Sequence, residues 1–266
     1  MPTNQSLGNP DLDPEIADTF TAGAVFKPRF APGLSASLDY FDIKVGGAIT
    51  NIRGAAATLC DAGNALACSF FTFDPDTGAP TSMSVPALNL SNLQYVGYDF
   101  ALQYHTGLGD FLPGTFDVSW NATYMDKAKI DLGAGSGPVN RAGENGGVNT
   151  GAIARLTSVL SGTYSHGGSS ITAQLRYISK GKIDNTFDTL PSNRISNNRV
   201  PSVVYLNLYG TLALDKAGGT SLFMSIENVL DKDPPVVPYP ALFTATNAQY
   251  YDVVGRYFRV GAKLKF

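Results

Sequence analysis

The sequence predicts an all-β protein: an antiparallel meander of about nine transmembrane strands that forms part of a β-barrel. Apolar side chains alternate with small or polar ones along nearly the whole chain, which is typical of strands with one apolar face. The connections between these segments alternate between short and long, as they do in outer-membrane barrels. Only 15% of the residues are charged, whereas about 25% is usual for soluble domains.

The first four predicted strands lie in the N-terminal half of the chain. In each of them every second residue is apolar or aromatic, and the residues between are mostly small or polar. Aromatic residues stand near the ends of several of these apolar faces, where membrane barrels carry their aromatic girdles. The four apolar faces cover residues 20–26, 34–40, 98–104 and 116–124.

Five further strands complete the meander. The last is the clearest, because Phe258, Val260, Ala262, Leu264 and Phe266 share one face, opposite basic residues and a glycine. The alternation is weaker in the first and fourth of these five segments. They cover residues 153–164, 171–177, 206–214, 221–230 and 257–266.

The length of the strands and the order of the connections suit a membrane barrel. About ten residues at roughly 3.3 Å each and a tilt of about 45° span about 23 Å of membrane normal. We assign residues 1–17 to an incoming extracellular loop, and residues 18–266 to strands joined by short periplasmic turns and long extracellular loops. The short turns are predicted at 27–33, 107–114, 166–169 and 215–220, and the long loops at 46–92, 128–150, 179–202 and 231–254.

Composition excludes several classes of protein. A net charge of −3 gives no electrostatic support for binding nucleic acid. Two histidines are too few for a histidine-rich metal site, and we expect no cofactor. No stretch approaches the roughly 18 consecutive apolar residues of a membrane-spanning helix. The N-terminal residues also lack the features of a signal peptide, so we expect either an intracellular protein or part of a larger one.

The C-terminus carries a recognisable pattern. Residues 259–266 follow the order polar-x-Gly-x-x-apolar-x-aromatic, with Arg259, Gly261, Leu264 and Phe266 at the defining positions. This pattern resembles the signal by which the assembly machinery of the outer membrane recognises its barrels, and it offers an exposed edge strand for pairing.

Several motifs together resemble TonB-dependent outer-membrane receptors. Residues 9–15, Asn-Pro-Asp-Leu-Asp-Pro-Glu, precede a strand as the Asn-Pro-x-Leu-x-Pro-Glu segment does in that family. Residues 227–235 look like the family's penultimate-strand signature, and residues 251–256 look like its closing one. Cys60, residues 73–78 and residues 97–99 follow the order of an extracellular loop and the next strand. The resemblance covers essentially the whole chain and respects the order of the motifs.

The resemblance implies a function as well as a fold. Receptors of this family have a barrel of about 22 strands filled by an N-terminal plug, and they import scarce nutrients with energy relayed by the TonB complex. It therefore implies a lipid bilayer, the TonB complex and the assembly machinery as partners, with the outer membrane of a Gram-negative bacterium as the location.

The chain departs from the family pattern in its N-terminal features and its strand number. It contains no signal peptide, TonB box or plug, and an odd number of strands cannot close an all-antiparallel barrel. We therefore expect the C-terminal portion of a larger receptor or a truncated gene product. We also expect that it does not fold alone, because two strand edges and a lipid-facing surface would be exposed.

Two groups of residues are candidate sites, and neither is catalytic. Cys60 and Cys68 lie close enough for a local disulfide made in an oxidising compartment, although two reduced thiols remain an alternative. The glycine-rich segment around Ser136 lacks the spacing of a nucleophile elbow, so we expect no enzyme. Charged residues on the polar strand faces are expected to face the barrel lumen; these are Asp39, Asp99, Arg155, Arg176, Glu227 and Arg259.

Three functional hypotheses follow. The first is a transport receptor whose long loops bind the nutrient, including the loop at Cys60–Cys68 and the segment 236–251. The nutrient is then a siderophore, cobalamin or an oligosaccharide, among which the sequence does not choose. The second is a passive porin or structural barrel, and the third is a secreted soluble β-sandwich that binds carbohydrate.

Overall fold

The structure of the protein is a computed structural model that describes residues 3–109, 112–131, 133, 137–146, 152–187, 194–215, 219–237 and 245–264. Neither helix in these ranges is long or apolar enough to cross a membrane. In chain order the strands are β1 (Thr3–Leu7), β2 (Ile16–Phe26), β3 (Leu34–Thr50), β4 (Phe71–Phe73), β5 (Pro80–Pro86), β6 (Leu88–Gly107), β7 (Thr115–Asp131), β8 (Val139–Asn140), β9 (Leu156–His166), β10 (Ser169–Ile178), β11 (Gly181–Lys182), β12 (Arg199–Val200), β13 (Val203–Ala213), β14 (Thr220–Glu227) and β15 (Tyr257–Leu264), and the helices are α1 (Arg53–Asp61) and α2 (Ala65–Cys68).

Nine strands form one sheet in the order of the chain. The order is β2, β3, β6, β7, β9, β10, β13, β14 and β15, with the short β8 paired to β7. The neighbouring strands from β7 to β15 pair antiparallel. The path ends at β2 on one side and at β15 on the other, so the sheet is not closed. The predicted antiparallel meander of nine strands is therefore confirmed as a partial barrel.

The register places the apolar positions of neighbouring strands opposite one another. Leu160 of β9 lies opposite both Trp120 of β7 and Leu175 of β10, and Leu175 in turn lies opposite Leu206 of β13. Trp120 and Leu160 are both 39% exposed, and Leu175 is 40% exposed. Because a slip of one residue would turn every side chain to the other face, this register makes one continuous, exposed apolar face.

Three strands are longer than the sequence predicts. β3 and β7 have 17 residues each and β6 has 20, so the expectation of about ten residues per strand is wrong for them. The additional residues lie at the ends of the segments that we expected to be long loops. Apolar alternation marks only the part of a strand with an apolar face, whereas backbone pairing between neighbours continues where the side chains are polar.

The chain divides into two compact units. The smaller comprises Met1–Phe20, Asp42–Tyr95 and Lys127–Asn140. In it, β5 pairs parallel with β1 and antiparallel with β4. Residues 1–17, assigned to a loop, thus include a paired strand. Its core consists of Ile52, Ala56, Phe70, Met83 and Val85.

The larger unit comprises Thr21–Phe41, Val96–Asp126 and Arg141–Phe266. Its buried core lies among the connections that follow β7, β10 and β14 and the adjoining strand ends. Within it, β11 and β12 form a short antiparallel pair between β10 and β13. The core residues are Ala154, Ile178, Ile183, Val200, Val203, Tyr205, Val237 and Tyr251.

Candidate functional site

Two cavities in the larger unit share part of their walls. Their volumes are about 420 Å³ and about 390 Å³, and Arg176, Gln249 and Tyr250 line both. The wall of the larger cavity is formed mostly by β10, β13 and β14 and by the segment 248–254. Its polar and aromatic lining residues include Gln174, Tyr205, Asn207, Tyr209, Glu227, Tyr251, Asp252 and Tyr257.

Arg176 is held at the junction of the two cavities by two neighbours. It lies on β10 directly opposite Tyr205 of β13, and its guanidinium carbon stands 5.1 Å from the centre of the Tyr205 ring. Its Nη2 atom donates a hydrogen bond of 2.5 Å to the carbonyl oxygen of Tyr250. This combination of a cation–π contact and a hydrogen bond fixes the direction of the guanidinium.

The segment 247–251 is anchored by buried and partly buried hydrogen bonds. The Tyr250 hydroxyl donates to the Ala152 carbonyl at 2.9 Å and accepts from the Ala154 N–H at 2.8 Å. The Tyr251 hydroxyl accepts from Asn145 Nδ2 at 2.9 Å. Burial raises the pKa of Tyr250, and it raises the pKa of Tyr251 to about 12, so both hydroxyls stay neutral at physiological pH. Asn247 Nδ2 also donates to the Asn145 carbonyl at 3.0 Å.

A buried ionic cluster joins the connection after β7 to the connection after β10. Arg141 Nη1 donates to Glu144 Oε2 at 2.9 Å and to Asp184 Oδ1 at 3.1 Å. Glu144 is fully buried and also accepts from the Asn185 N–H at 3.1 Å. Within the described part of the chain, Glu144 Oε1 and Arg141 Nε lack a hydrogen-bond partner. Burial raises the pKa of Glu144, and the bonds from Arg141 and Asn185 only partly oppose it.

Of the six charged residues predicted to face the lumen, the structure brings Arg176 and Glu227 to the cavity. Glu227 forms an ion pair with Arg259 of β15. Asp99 instead accepts a hydrogen bond of 2.6 Å from Thr123 Oγ1.

The other two charged residues have separate surroundings. Arg155 donates to the carbonyl oxygens of Asp126 and Ala142, at 3.3 and 3.2 Å. The Asp39 carboxylate lies against Gly23 and fills the space that a side chain at position 23 would need. The six residues therefore do not form one site, and their orientation toward a lumen stays a prediction.

The remaining predicted residues lie outside the cavity lining. In the smaller unit, the Cys60 and Cys68 sulfurs are bonded to each other, with the Cα atoms 4.6 Å apart. Gly261 lies opposite Phe223, whose ring packs where a Gly261 side chain would stand. Arg259 and Leu264 also lie on β15, whereas Phe266 lies outside the described residues. The assembly signal therefore stays a prediction.

The smaller unit contains a cavity of about 810 Å³ whose lining includes five charged residues. Among its lining residues are Asp13, Asp18, Lys44, Lys129 and Asp131. None of these charged residues is fully buried. We take the paired cavities of the larger unit as the candidate site, because buried hydrogen bonds fix the position of their wall.

Side-chain alternation does not reveal the cluster of Arg141, Glu144 and Asp184, nor the anchoring role of Tyr250 and Tyr251. These residues lie in connections without regular alternation and meet partners far away in sequence. The local sign of such an anchor is the presence of asparagines and tyrosines in the connections, because these side chains form hydrogen bonds when they are buried.

Comparison with known proteins agrees with this architecture. The family profile described as "TonB dependent receptor-like, beta-barrel" matches residues 1–229, which is most of the chain. The chain belongs to this family. Comparison with curated protein sequences gave no match.

Solved structures of TonB-dependent receptors share the fold. The outer membrane transporter YddB from Escherichia coli has 15% identity and a TM-score of 0.64, over 100% of this chain and 35% of its own. The FrpB iron transporter from Neisseria meningitidis has 15% identity and a TM-score of 0.62, over 100% and 32%. The ferric enterobactin receptor PfeA from Pseudomonas aeruginosa has 18% identity and a TM-score of 0.64, over 99% and 33%. The chain thus spans about a third of the length of these receptors.

Proposed function

We propose that the chain is the C-terminal barrel portion of an outer-membrane receptor that takes up a scarce nutrient with energy from TonB. The nutrient is a siderophore, cobalamin or an oligosaccharide. The observation that carries this proposal is the different chemistry of the two sheet faces. One face is continuous and apolar, and the other carries polar side chains and a cavity whose wall is anchored by buried hydrogen bonds.

The apolar face suits contact with lipid. Tyr40, Tyr98 and Tyr124 stand on three neighbouring strands, with ring centres 5.4 and 6.5 Å apart. Rows of aromatic side chains mark the membrane interfaces of outer-membrane barrels. We therefore place this face against the bilayer of the outer membrane in a Gram-negative bacterium, and we place the cavity inside the barrel.

The partners follow from this arrangement. A plug and the contact with the TonB complex belong to sequence outside the chain. The assembly machinery recognises the C-terminal strand through Arg259, Gly261, Leu264 and Phe266. The function is transport, and we assign no catalytic residue.

The membrane-facing side can be tested with a matched pair of substitutions in the complete receptor that contains this chain. Leu160→Lys places a charge on the apolar face near the middle of β9, whereas Ser161→Lys places it on the polar face next to it. A lysine on the lipid face at mid-membrane costs about 2–4 kcal/mol. We expect only Leu160→Lys to reduce the amount of folded receptor in outer-membrane fractions. Equal effects would contradict the assignment of the faces.

Energy coupling separates a receptor from a passive porin. The complete receptor, expressed in a Gram-negative host, should take up its nutrient only with an intact TonB complex and a proton gradient. Uptake that persists after TonB is deleted or a protonophore is added would indicate a porin instead.

A further inference from the structure

We propose that the paired cavities bind an uncharged polyhydroxylated ligand, namely a segment of an oligosaccharide, rather than an anionic iron chelate. This inference rests on the proposed function, because it names the class of nutrient that the receptor imports. It is carried by the charge balance of the cavity walls, by their hydrogen-bonding groups and by their tyrosine rings.

The walls offer little positive charge. Among the described residues that line the two cavities, Arg176 is the single base, and the acids Glu227 and Asp252 line the larger one. The neighbouring Arg259 does not add free positive charge, because it is ion-paired with Glu227. Two interactions already engage the Arg176 guanidinium, one with the Tyr205 ring and one with the Tyr250 carbonyl. A ligand with several negative charges needs arginine or lysine partners.

The other cavity region has a similar charge balance. The cavity of the smaller unit also has more acidic than basic lining residues. Neither cavity region therefore has the cationic surface that would attract an anionic chelate.

The polar groups of the wall suit hydroxyl groups that both donate and accept. Gln174 and Asn207 lie opposite each other on β10 and β13, and Asn207 Nδ2 donates to Gln174 Oε1 at 3.3 Å. Gln249 lines both cavities and is exposed. Each amide has two donor hydrogens and an acceptor oxygen. Such a wall can exchange its internal hydrogen bonds for bonds to sugar hydroxyls.

Tyrosine rings supply flat surfaces beside these amides. Tyr209 and Tyr257 both line the larger cavity and are only partly buried. One face of the Tyr257 ring is already occupied by the Arg259 guanidinium, whose carbon stands 5.3 Å from the ring centre. The ring face is apolar and carries partial negative charge, so it packs against the C–H groups of a pyranose. Small-molecule sites measure roughly 300–1,000 Å³. Cavities of about 420 and 390 Å³ lie near the lower end and suit a few sugar rings better than a macrocycle.

The test uses the complete receptor that contains this chain, purified in detergent, and isothermal titration calorimetry. The probes are maltotetraose, cellotetraose, xylotetraose and mannotetraose as uncharged ligands, and ferric enterobactin as the anionic one. We expect at least one tetrasaccharide to bind and ferric enterobactin not to bind. Tighter binding of ferric enterobactin, or no heat from any tetrasaccharide at millimolar concentration, would overturn the inference.

A matched pair of variants locates the binding. Tyr209→Leu removes a ring and a hydroxyl from the cavity, whereas Tyr104→Leu makes the same change on β6 outside the cavity lining. We expect the dissociation constant to rise about tenfold for Tyr209→Leu only. Equal effects would place the sugar elsewhere and refute the site.

Uptake measurements keep the two proposals separate. TonB-dependent uptake of ferric enterobactin without uptake of any tetrasaccharide would preserve the receptor and reject the ligand class. Tetrasaccharide uptake that does not depend on TonB would preserve the ligand class and reject the energised receptor.

Discussion

Replacing Arg141 by methionine should open the connections that the buried cluster joins. The substitution removes the hydrogen bonds of 2.9 and 3.1 Å to Glu144 and Asp184. Those residues are only 0% and 1% exposed. Removing one partner of a buried ion pair costs about 3–5 kcal/mol, because a carboxylate remains without a counter-charge. Protonating a glutamate or aspartate with its reference pKa costs about 3.7–4.2 kcal/mol at pH 7, which lies in the same range.

Hydrogen exchange of the local amides measures this loss directly. The Asn145 N–H donates to the Lys182 carbonyl at 2.7 Å, and the Lys182 N–H donates to the Gly143 carbonyl at 2.8 Å. Both bonds link the two connections that Arg141 holds together. In the complete receptor, a loss of 3–5 kcal/mol speeds their exchange roughly 150- to 5,000-fold if they exchange by local opening. The effect should shrink at pH 5, because protonation of the carboxylates then costs less.

Arg256 provides the matched control. It pairs with Asp231 at 3.7 Å, and the two side chains are 45% and 57% exposed. Such a surface pair contributes about 0–1 kcal/mol, so Arg256→Met should leave the exchange of Asn145 and Lys182 nearly unchanged. The reasoning is refuted if Arg141→Met accelerates exchange no more than Arg256→Met does.

Three further changes test other parts of the structure. Burial raises the pKa of Glu144, so the stability that Glu144 contributes is present below the unfolded pKa and is lost as pH rises through the folded pKa. Glu144→Gln should therefore flatten the pH dependence of loop exchange above about pH 4.5. An unchanged slope would contradict this. Cys68→Ser removes a cross-link of a short loop and should destabilise α1 and α2 by roughly 2–3 kcal/mol, measured as faster exchange of their amides; unchanged rates would exclude a role for the cross-link. Gly261→Ala should lower the melting temperature, because the new methyl group meets the Phe223 ring. Gly210→Ala should leave the melting temperature unchanged, because no other atom lies near the place of its methyl group. Equal melting temperatures would show that the Phe223 ring moves away at no cost.

The sequence predicts the part of the fold that depends on local alternation. The alternation around Trp120, Leu160 and Leu175 predicts both the strands and the side of each strand that is apolar, because side chains in a strand alternate with a period of two. The turns between neighbouring strands then dictate antiparallel order. Strand ends are predicted less well. β6 continues into residues expected to form a loop, because backbone pairing needs no apolar alternation.

The candidate site is predictable only in part. The alternation identifies Arg176 and Glu227 as charged residues on polar strand faces, and both line the cavity. The alternation could not show that Arg155 hydrogen-bonds to backbone carbonyls instead, because that depends on where the neighbouring connection lies.

By itself the sequence determined the nine main strands of the meander, their antiparallel order and the chemistry of the two faces. These features follow from side-chain alternation within about ten residues. Only the tertiary structure decided which residues anchor the cavity wall. Asn145 and Tyr251, whose side chains form a hydrogen bond, lie 106 positions apart. A buried polar group is stable only with a partner, and no local pattern specifies a partner from so distant a segment.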